Sequence, residues 1–421
     1  MKVSIIRGID EELEFEVPDK NLYYVLDRGN PPPLKDIEEE LIKRLRNPIS
    51  APPLPSAVHK GDKVLIIVDD ITRPTPQKTL LPIVLEELNR SGVRDEDIEV
   101  LIALGTHRFM THEEIKERFG EEVMEKVHII NHDYANDAEL TQLGRTGSGI
   151  PIVVNRRIVE ADFTIGIGNI VPHCYAGWAG SGKIVQPGIC GADTTAETHL
   201  MAGKSSIFEI TGTIDNTVRK EIDEVAVKSG LKFIVNTILN AEDKISELMV
   251  GDPIKAFRKG VEIAEEIYCP KVPGVADIII VSSYPADIDY WQAHKPTIYA
   301  TLGVKKGGTV ILVTPCPEGI AKRHPEVEEW GSRSYREVSE AIEKGEIKDR
   351  IAAGMLLLHT QVTAHTDVIC VSEHLKKSEK TALGFKDAET VQEAIDYALK
   401  KHGEDAKIGV LRCGDIKPKL M

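Results

Sequence analysis

The sequence predicts an α/β protein of two domains, each with a mostly parallel sheet flanked by helices, with the active site in the cleft between them. The chain has 421 residues, more than one ordinary hydrophobic core organises. Short apolar runs alternate with helical patterns, which is typical of parallel strands joined by crossover helices. A proline-containing break at 269–273 interrupts this alternation, and we place the domain boundary there.

The predicted N-terminal domain covers residues 1–270 and opens with two short strands around Gly8. Its other strands are runs of aliphatic and β-branched residues, and its helices repeat apolar residues at helical spacing. The predicted strands are 63–68, 99–105, 127–131 and 163–168, and the predicted helices are 36–46, 77–90, 112–119 and 252–267.

The predicted C-terminal domain covers residues 275–388 and closes the substrate cleft. A helix and a last strand follow it, and this strand can return to either sheet, so that 390–421 could complete the N-terminal domain. The predicted strands are 277–283, 309–315, 367–373 and 407–412, and the predicted helices are 335–345 and 389–402.

Composition limits the partners of the protein. A net charge of −15 argues against binding nucleic acid or anionic lipid, although a local basic pocket can still hold a small anion. The N-terminus has no signal-like apolar run, and no segment approaches the roughly 20 apolar residues of a membrane span. Six scattered cysteines form no CxxC motif. We therefore expect a cytoplasmic protein with reduced thiols and neither a nucleic acid nor a membrane partner.

Polar side chains follow three of the predicted strands, at the carboxyl ends where open α/β sheets bind ligands. Asp70 and Arg73 come after the first strand of the alternation, where a surface ion pair is the alternative explanation. His107 and His173 follow two later strands, and each alone is also explained as a loop hydrogen-bond donor. Together, the two histidines could face one ligand from opposite sides, which suits proton transfer in both directions.

A glycine-dense loop delivers a lysine. Residues 177–183 read GWAGSGK and match the first part of a phosphate-binding P-loop, but Ile184 stands where that motif needs Ser or Thr for magnesium. The alternative is that Lys183 anchors a cofactor, covalently or through an ion pair. In that case we expect cofactor contacts from Gly180, Ser181, Gly182 and Lys183.

Two further segments carry candidate residues. A capping box predicted at 194–197 would place His199 in the first turns of a helix, where a metal ligand and a packing histidine are both reasonable. Gln292 and Lys295 are three residues apart, so they share a helical face. Because Pro296 follows Lys295, we expect this lysine at a helix end, either solvated or in the wall of an inter-domain cleft.

Five motifs in order along the chain resemble the nickel-dependent lactate racemase family. They span residues 69 to 296, and downstream of them the resemblance rests on the α/β pattern alone. The motifs are DDITRPTP (69–76), GTHR (105–108), PHCYAGWAGSGK (172–183), TAETH (195–199) and WQAHKP (291–296).

The resemblance implies a cofactor. Members of this family use nickel in pyridinium-3,5-bisthiocarboxylic acid mononucleotide, the nickel-pincer nucleotide. Lys183 matches the lysine that is covalently linked to one arm of this group, and His199 matches the protein ligand to nickel. The link to lysine would also explain why Ile184 can replace a magnesium-binding residue.

The resemblance also implies the reaction. His107 and His173 match two acid–base histidines, and Asp70 matches a residue that supports the site. A racemase would remove hydride from C2 of a 2-hydroxy acid, leave a planar 2-oxo acid and return hydride to the other face. The residues that match those orienting the substrate are Arg73, Gln292 and Lys295.

We therefore predict a racemase or epimerase of lactate or a related short 2-hydroxy acid, which depends on cofactor-biosynthesis proteins for its maturation. Two alternatives remain open at this stage. One is an NTP-dependent enzyme that uses the glycine loop, and the other is a non-catalytic protein that binds the cofactor or a hydroxy acid.

Overall fold

A computed structural model describes residues 1–8 and 11–421. Two six-stranded sheets flanked by helices form two domains, which confirms the predicted α/β class. None of the helices described is both long enough and apolar enough to cross a membrane.

The first sheet is parallel except for one antiparallel edge strand. Its central strands are buried on both faces, as expected of a parallel sheet covered by helices. In spatial order, its strands are Ile245–Gly251, Phe233–Leu239, Phe163–Asn169, Val64–Asp69, Ile98–Ala103 and His128–Asn131.

Within residues 1–8 and 11–421, ten α-helices, three short 3₁₀ helices and two small hairpins accompany the first sheet. The hairpins are Leu140–Arg145 with Pro151–Asn155 and Pro172–His173 with Gly177–Trp178. The α-helices are Ile37–Arg46, Leu54–Ala57, Gln77–Arg90, His112–Phe119, Glu121–Lys126, Arg157–Glu160, Ala192–Lys204, Ile207–Ile210, Thr217–Ser229 and Lys255–Tyr268. The 3₁₀ helices are Asp95–Asp97, Asp137–Glu139 and Ser181–Ile184.

The second sheet is parallel throughout. In spatial order, its strands are Lys386–Ala388, Asp367–Val371, Val304–Val313, Ala276–Ser282, Ile408–Leu411 and Leu22–Leu26. Its helices are Tyr290–Gly303, Glu326–Trp330, Tyr335–Lys344, Arg350–His365, Lys377–Ala382 and Val391–His402. The remaining strand pairs are Lys2–Gly8 with Glu11–Glu16 and Lys271–Val272 with Lys419–Leu420.

Both ends of the chain pair with the second sheet. The strand Ile408–Leu411 lies between Ala276–Ser282 and Leu22–Leu26. We therefore propose that the second domain includes these terminal strands, rather than residues 390–421 completing the first domain. The exact domain bounds stay a prediction.

The two domains pack closely beside His199. Helix Ala192–Lys204 of the first domain lies against helix Arg350–His365 of the second. A Cβ atom at Gly354 would lie 2.4 Å from the carbonyl carbon of His199, and one at Gly203 would lie 2.7 Å from the carbonyl oxygen of Gly354. Only glycine permits so close an approach, and the backbone that carries His199 therefore rests on the second domain.

Candidate active site

The predicted site residues meet at the carboxyl edge of the first sheet, under the helix Tyr290–Gly303 of the second domain. Nine of the eleven line one cavity, namely Asp70, Arg73, His107, His173, Gly180, Ser181, Lys183, His199 and Lys295. The other two lie beside it. Gln292 lines an adjoining cavity, and Gly182 packs against the helix Thr217–Ser229, where a Cβ atom would lie 3.1 Å from Ala226.

Asp70 orients His107. The carboxylate is 3% exposed, lies 2.5 Å from Nδ1 of His107 and accepts the Thr72 backbone N–H at 3.1 Å. Burial alone would raise the pKa of Asp70, but His107 and Arg73 outweigh it and hold that pKa well below its usual range. Asp70 is therefore ionised, and His107 donates its Nδ1 hydrogen to it.

His107 is a neutral base. Burial lowers its pKa, and the charge of Asp70 offsets this only in part. Its Nε2 atom accepts a hydrogen bond from the Gln292 amide at 2.9 Å. With Nδ1 donating to Asp70, Nε2 carries the lone pair on the side of the ring away from the carboxylate.

His173 has the opposite tautomer. Its Nδ1 atom accepts hydrogen bonds from the backbone N–H groups of Tyr175 at 3.1 Å and Ala176 at 3.3 Å. A neutral imidazole that accepts at Nδ1 must carry its hydrogen on Nε2. Burial, followed by the charges of Lys183 and Lys295, lowers the pKa of His173 well below its usual range. His107 therefore offers a lone pair at Nε2, and His173 offers a hydrogen at the same position.

The glycine loop is a tight turn that ends at Lys183 and Ile184. Gly177 has φ +74°, and a Cβ atom there would lie 1.9 Å from the carbonyl oxygen of Thr213. A P-loop continues directly into an α-helix, whereas here a short 3₁₀ turn ends at Ile184 and the next α-helix begins at Ala192.

The surroundings of Lys183 favour its uncharged amine form. Burial lowers its pKa well below the usual range, and the charges of Arg73 and Lys295 lower it further. An uncharged amine can act as a nucleophile. This property fits a covalent anchor better than it fits a phosphate-binding cation.

His199 lies further along its helix than predicted. The helix begins at Ala192 after the N-cap Gly191, and the predicted capping box is wrong because Thr194 donates its hydroxyl to the carbonyl of Pro151 instead. His199 donates from Nδ1 to the carbonyl of Thr195 at 2.8 Å, so its Nε2 atom carries the lone pair. Burial lowers its pKa to about 3. This neutral imidazole is the form that binds metals.

Gln292 connects two cationic side chains of the cavity to His107. Its Oε1 atom accepts hydrogen bonds from Lys295 and, at 3.5 Å, from Arg73, while its amide N–H donates to His107. Burial, followed by the charge of Arg73, lowers the pKa of Lys295 to about 7. The predicted helix end at Lys295 is wrong, because Pro296 lies inside the helix and Lys295 is buried.

Sequence reasoning missed part of the second domain's contribution. His294, which was not among the predicted site residues, accepts a hydrogen bond from the Tyr175 hydroxyl inside the cavity. In the adjoining cavity, Trp291 stacks on His324 with ring centroids 4.1 Å apart. The spacing of residues 291, 294 and 295 places them on one helical face, and this signal could have identified His294.

Arg108 does not offer its charge to a ligand. It forms ion pairs with Glu114 at 2.7 Å and with Glu318 of the second domain at 3.0 Å. It therefore connects the two domains at the rim of the adjoining cavity.

Comparisons with known proteins identify relatives over most of the chain. Residues 9–209 match the lactate racemase N-terminal domain, and residues 272–415 match the lactate racemase C-terminal domain. A lactate racemase of Thermoanaerobacterium thermosaccharolyticum is 31% identical over 313 residues, which are 73% of each chain. A lactate racemase of Lactiplantibacillus plantarum is 29% identical over 391 residues, 90% of this chain and 89% of the relative.

Solved structures share the fold. The lactate racemase apoprotein from Thermoanaerobacterium thermosaccharolyticum superposes with a TM-score of 0.87 at 27% identity and covers all of both chains. A protein from Thermotoga maritima, with a TM-score of 0.74 and 22% identity, covers 94% of this chain and 100% of its own. The second likeness concerns the fold alone.

Proposed function

The chain belongs to the lactate racemase family and is a racemase, and from this membership we propose that it inverts C2 of lactate or a related short 2-hydroxy acid. The observation that carries the proposal is the pairing of opposite tautomers in one cavity. His107 offers a lone pair at Nε2, and His173 offers a hydrogen at the same ring position.

Two cations of the cavity are placed to bind the substrate carboxylate. Arg73 and Lys295 both donate to the Gln292 carbonyl oxygen. A carboxylate that replaced this amide oxygen would receive two charge-assisted hydrogen bonds, which are stronger than bonds to a neutral acceptor. Gln292 would then be free to orient the substrate hydroxyl beside His107.

The histidine geometry supports a route for the hydroxyl proton. Nε2 of His107 takes the hydroxyl proton, and the buried Asp70 carboxylate stabilises the imidazolium that forms. The imidazolium of His107 returns this proton when the alcohol forms again, while the Nε2–H of the neutral His173 donates a hydrogen bond to the substrate oxygen. His173 is buried, which limits the access of water to this hydrogen bond.

The residues present fit a nickel-pincer nucleotide. Lys183 would carry the covalent link through its uncharged amine, and His199 would bind nickel through Nε2, an imidazole ligand that suits nickel. Asn169 lines the cavity with an Nδ2 group that is buried without a hydrogen-bond partner among the described residues, as expected of a donor that awaits a ligand. When bound, this group supplies the acceptor and donor of hydride. We propose that cofactor-biosynthesis proteins deliver it.

Loading and turnover test the proposal together. The protein is produced in cells that make the cofactor, and we expect bound nickel, added mass on the peptide that contains Lys183, and exchange between the enantiomers of lactate or another short 2-hydroxy acid. Lys183→Ala should lose nickel and activity together, whereas His107→Ala and His173→Ala should keep nickel and lose activity. Wild-type protein with neither nickel nor added mass would refute the cofactor, and loaded protein that leaves every enantiomer unchanged would refute the reaction.

A further inference from the structure

One aromatic ring of the first domain contacts both His173 and His199. The Tyr175 ring lies edge-on to His173, with centroids 5.3 Å apart, and edge-on to His199, with centroids 5.0 Å apart. Tyr175 is 7% exposed. A rotation of the Tyr175 ring would therefore disturb both His173 and His199, the proposed nickel ligand.

The second domain holds the far end of this ring. The Tyr175 hydroxyl lies 2.7 Å from Nε2 of His294, and His294 donates from Nδ1 to the carbonyl of Trp291 at 2.6 Å. Nε2 of His294 must therefore accept, and the tyrosine hydroxyl must donate. Burial raises the pKa of Tyr175 and lowers that of His294, so the bond joins two neutral groups.

A second contact joins the helix Tyr290–Gly303 to the hairpin that carries His173. The Tyr299 hydroxyl, from the helix that carries His294, donates to the carbonyl of Pro172 at 2.7 Å. Pro172 directly precedes His173 in the hairpin Pro172–His173 with Gly177–Trp178. The helix Tyr290–Gly303 thus contacts this hairpin region on both sides of His173.

We propose that Tyr175 and His294 are positioning residues that make the orientation of His173 and His199 depend on docking of the second domain. This inference rests on the proposed function and extends it. The helix that carries His294 also carries Lys295, which would bind the substrate carboxylate. Substrate binding and the placement of the two first-domain histidines are therefore mechanically connected.

Removal of the hydroxyl should affect turnover more than substrate binding. Tyr175→Phe keeps the ring but frees it to rotate, whereas Arg73 and Lys295 keep their positions. Small misplacements of reacting groups cost up to about 100-fold in rate. We therefore expect kcat to fall roughly 10- to 100-fold while KM changes less than about 3-fold.

Tyr290→Phe is the matched control. Tyr290 lies on the helix that carries His294. Its hydroxyl, which this substitution removes, bonds Nδ1 of the buried His359 at 2.8 Å, away from the substrate cavity. Each variant loses one buried bond between a hydroxyl and an imidazole. Both should therefore lower the melting temperature of the cofactor-free protein by a similar amount, about 2–4 °C, but only Tyr175→Phe should lower kcat. His294→Gln, which offers a carbonyl acceptor, should retain more activity than His294→Leu.

Measurements that do not depend on turnover separate this inference from the proposed function. In small-angle X-ray scattering, cofactor-free Tyr175→Phe should have a larger radius of gyration than both the wild type and Tyr290→Phe, because the domains are held together less firmly. Equal radii, an unchanged kcat in Tyr175→Phe, or an equal loss of kcat in Tyr290→Phe would overturn the inference. Failure of the wild type to racemise any hydroxy acid would instead refute the proposed function.

Discussion

Replacing Lys295 by methionine should stabilise the cofactor-free protein and abolish its binding of a hydroxy acid. Lys295 is 9% exposed, and its neighbours include the cation Arg73. Burial and this neighbour lower its pKa from 10.5 to about 7. A shift of this size corresponds to roughly 5 kcal/mol of unfavourable free energy in the protonated folded state.

The gain in stability expected from Lys295→Met is smaller than this roughly 5 kcal/mol. Methionine fills a similar volume but loses the bond to Gln292, which contributes about 1 kcal/mol. We expect a net stabilisation of about 2–4 kcal/mol near neutral pH, seen as a rise in melting temperature of at least about 4 °C. Functional residues commonly cost stability in this way.

The pH dependence gives the sign of the effect. Between about pH 7 and pH 10.5 the unfolded chain keeps Lys295 protonated while the folded protein does not, so the wild type becomes more stable as the pH rises through this window. The advantage of Lys295→Met should therefore be greatest at pH 7 and below and should disappear near pH 10.5. Thermal unfolding of the cofactor-free protein at several pH values measures it.

A second buried lysine provides the control. Lys380 is 3% exposed but pairs with Asp387 at 2.6 Å. Lys380→Met would leave that carboxylate without its partner, so it should lower the melting temperature. If Lys295→Met were as destabilising as Lys380→Met, or if its effect did not vary with pH, the argument that Lys295 is held at a cost would be wrong.

Two further predictions concern the histidines. Asp70→Asn should lower kcat by about 100- to 10,000-fold with bound nickel retained, because an asparagine amide can donate to Nδ1 of His107 and so place the ring hydrogen on Nε2; a loss below tenfold would contradict this role. In ¹⁵N NMR of cofactor-free protein near pH 7, His107 should carry its hydrogen on Nδ1 and His173 on Nε2, and the same tautomer in both rings would contradict the assignment.

Much of the fold could be predicted because the strands are local signals. The run at 63–68 was predicted as a strand, and the structure has Val64–Asp69. Five of the six residues in this strand are aliphatic, a composition that is unfavourable outside a buried parallel sheet. The sheet that the last strand joins could not be predicted, since this depends on which edge is free after both domains have formed.

Errors arose where tertiary contacts replaced local ones. Thr194 fits a capping box by spacing, but its hydroxyl bonds Pro151 in a neighbouring hairpin, and the helix starts earlier. Pro296 normally indicates a helix boundary, but the helix around it is buried, with its own sheet on one side and contacts to the first domain on the other, and this packing compensates for the lost bond. Spacing rules cannot include such partners, which are distant in sequence.

The candidate site was predicted as a set of residues but not as an arrangement. The motifs predicted eleven side chains of the site, and the structure brings nine of them to one cavity. The tautomer of His173 could not be predicted, because it depends on backbone N–H groups that turn toward the ring. The bond between His294 and Tyr175 could not be predicted either, because it joins residues of two domains that are distant in sequence.

The charges of the cavity bear on the order in which a cofactor and a substrate would bind. Burial lowers the pKa of Lys183, and the charges of Arg73 and Lys295 lower it further, so all three favour the uncharged amine. An uncharged amine is what a covalent link to a cofactor requires. Once linked through its amine, Lys183 would carry no charge either, and both cations would be available to a substrate carboxylate. Under the proposed function, the same two charges would favour the nucleophilic form of the lysine first and bind the substrate later, which would account for three lysine and arginine side chains in one cavity of a chain with a net charge of −15.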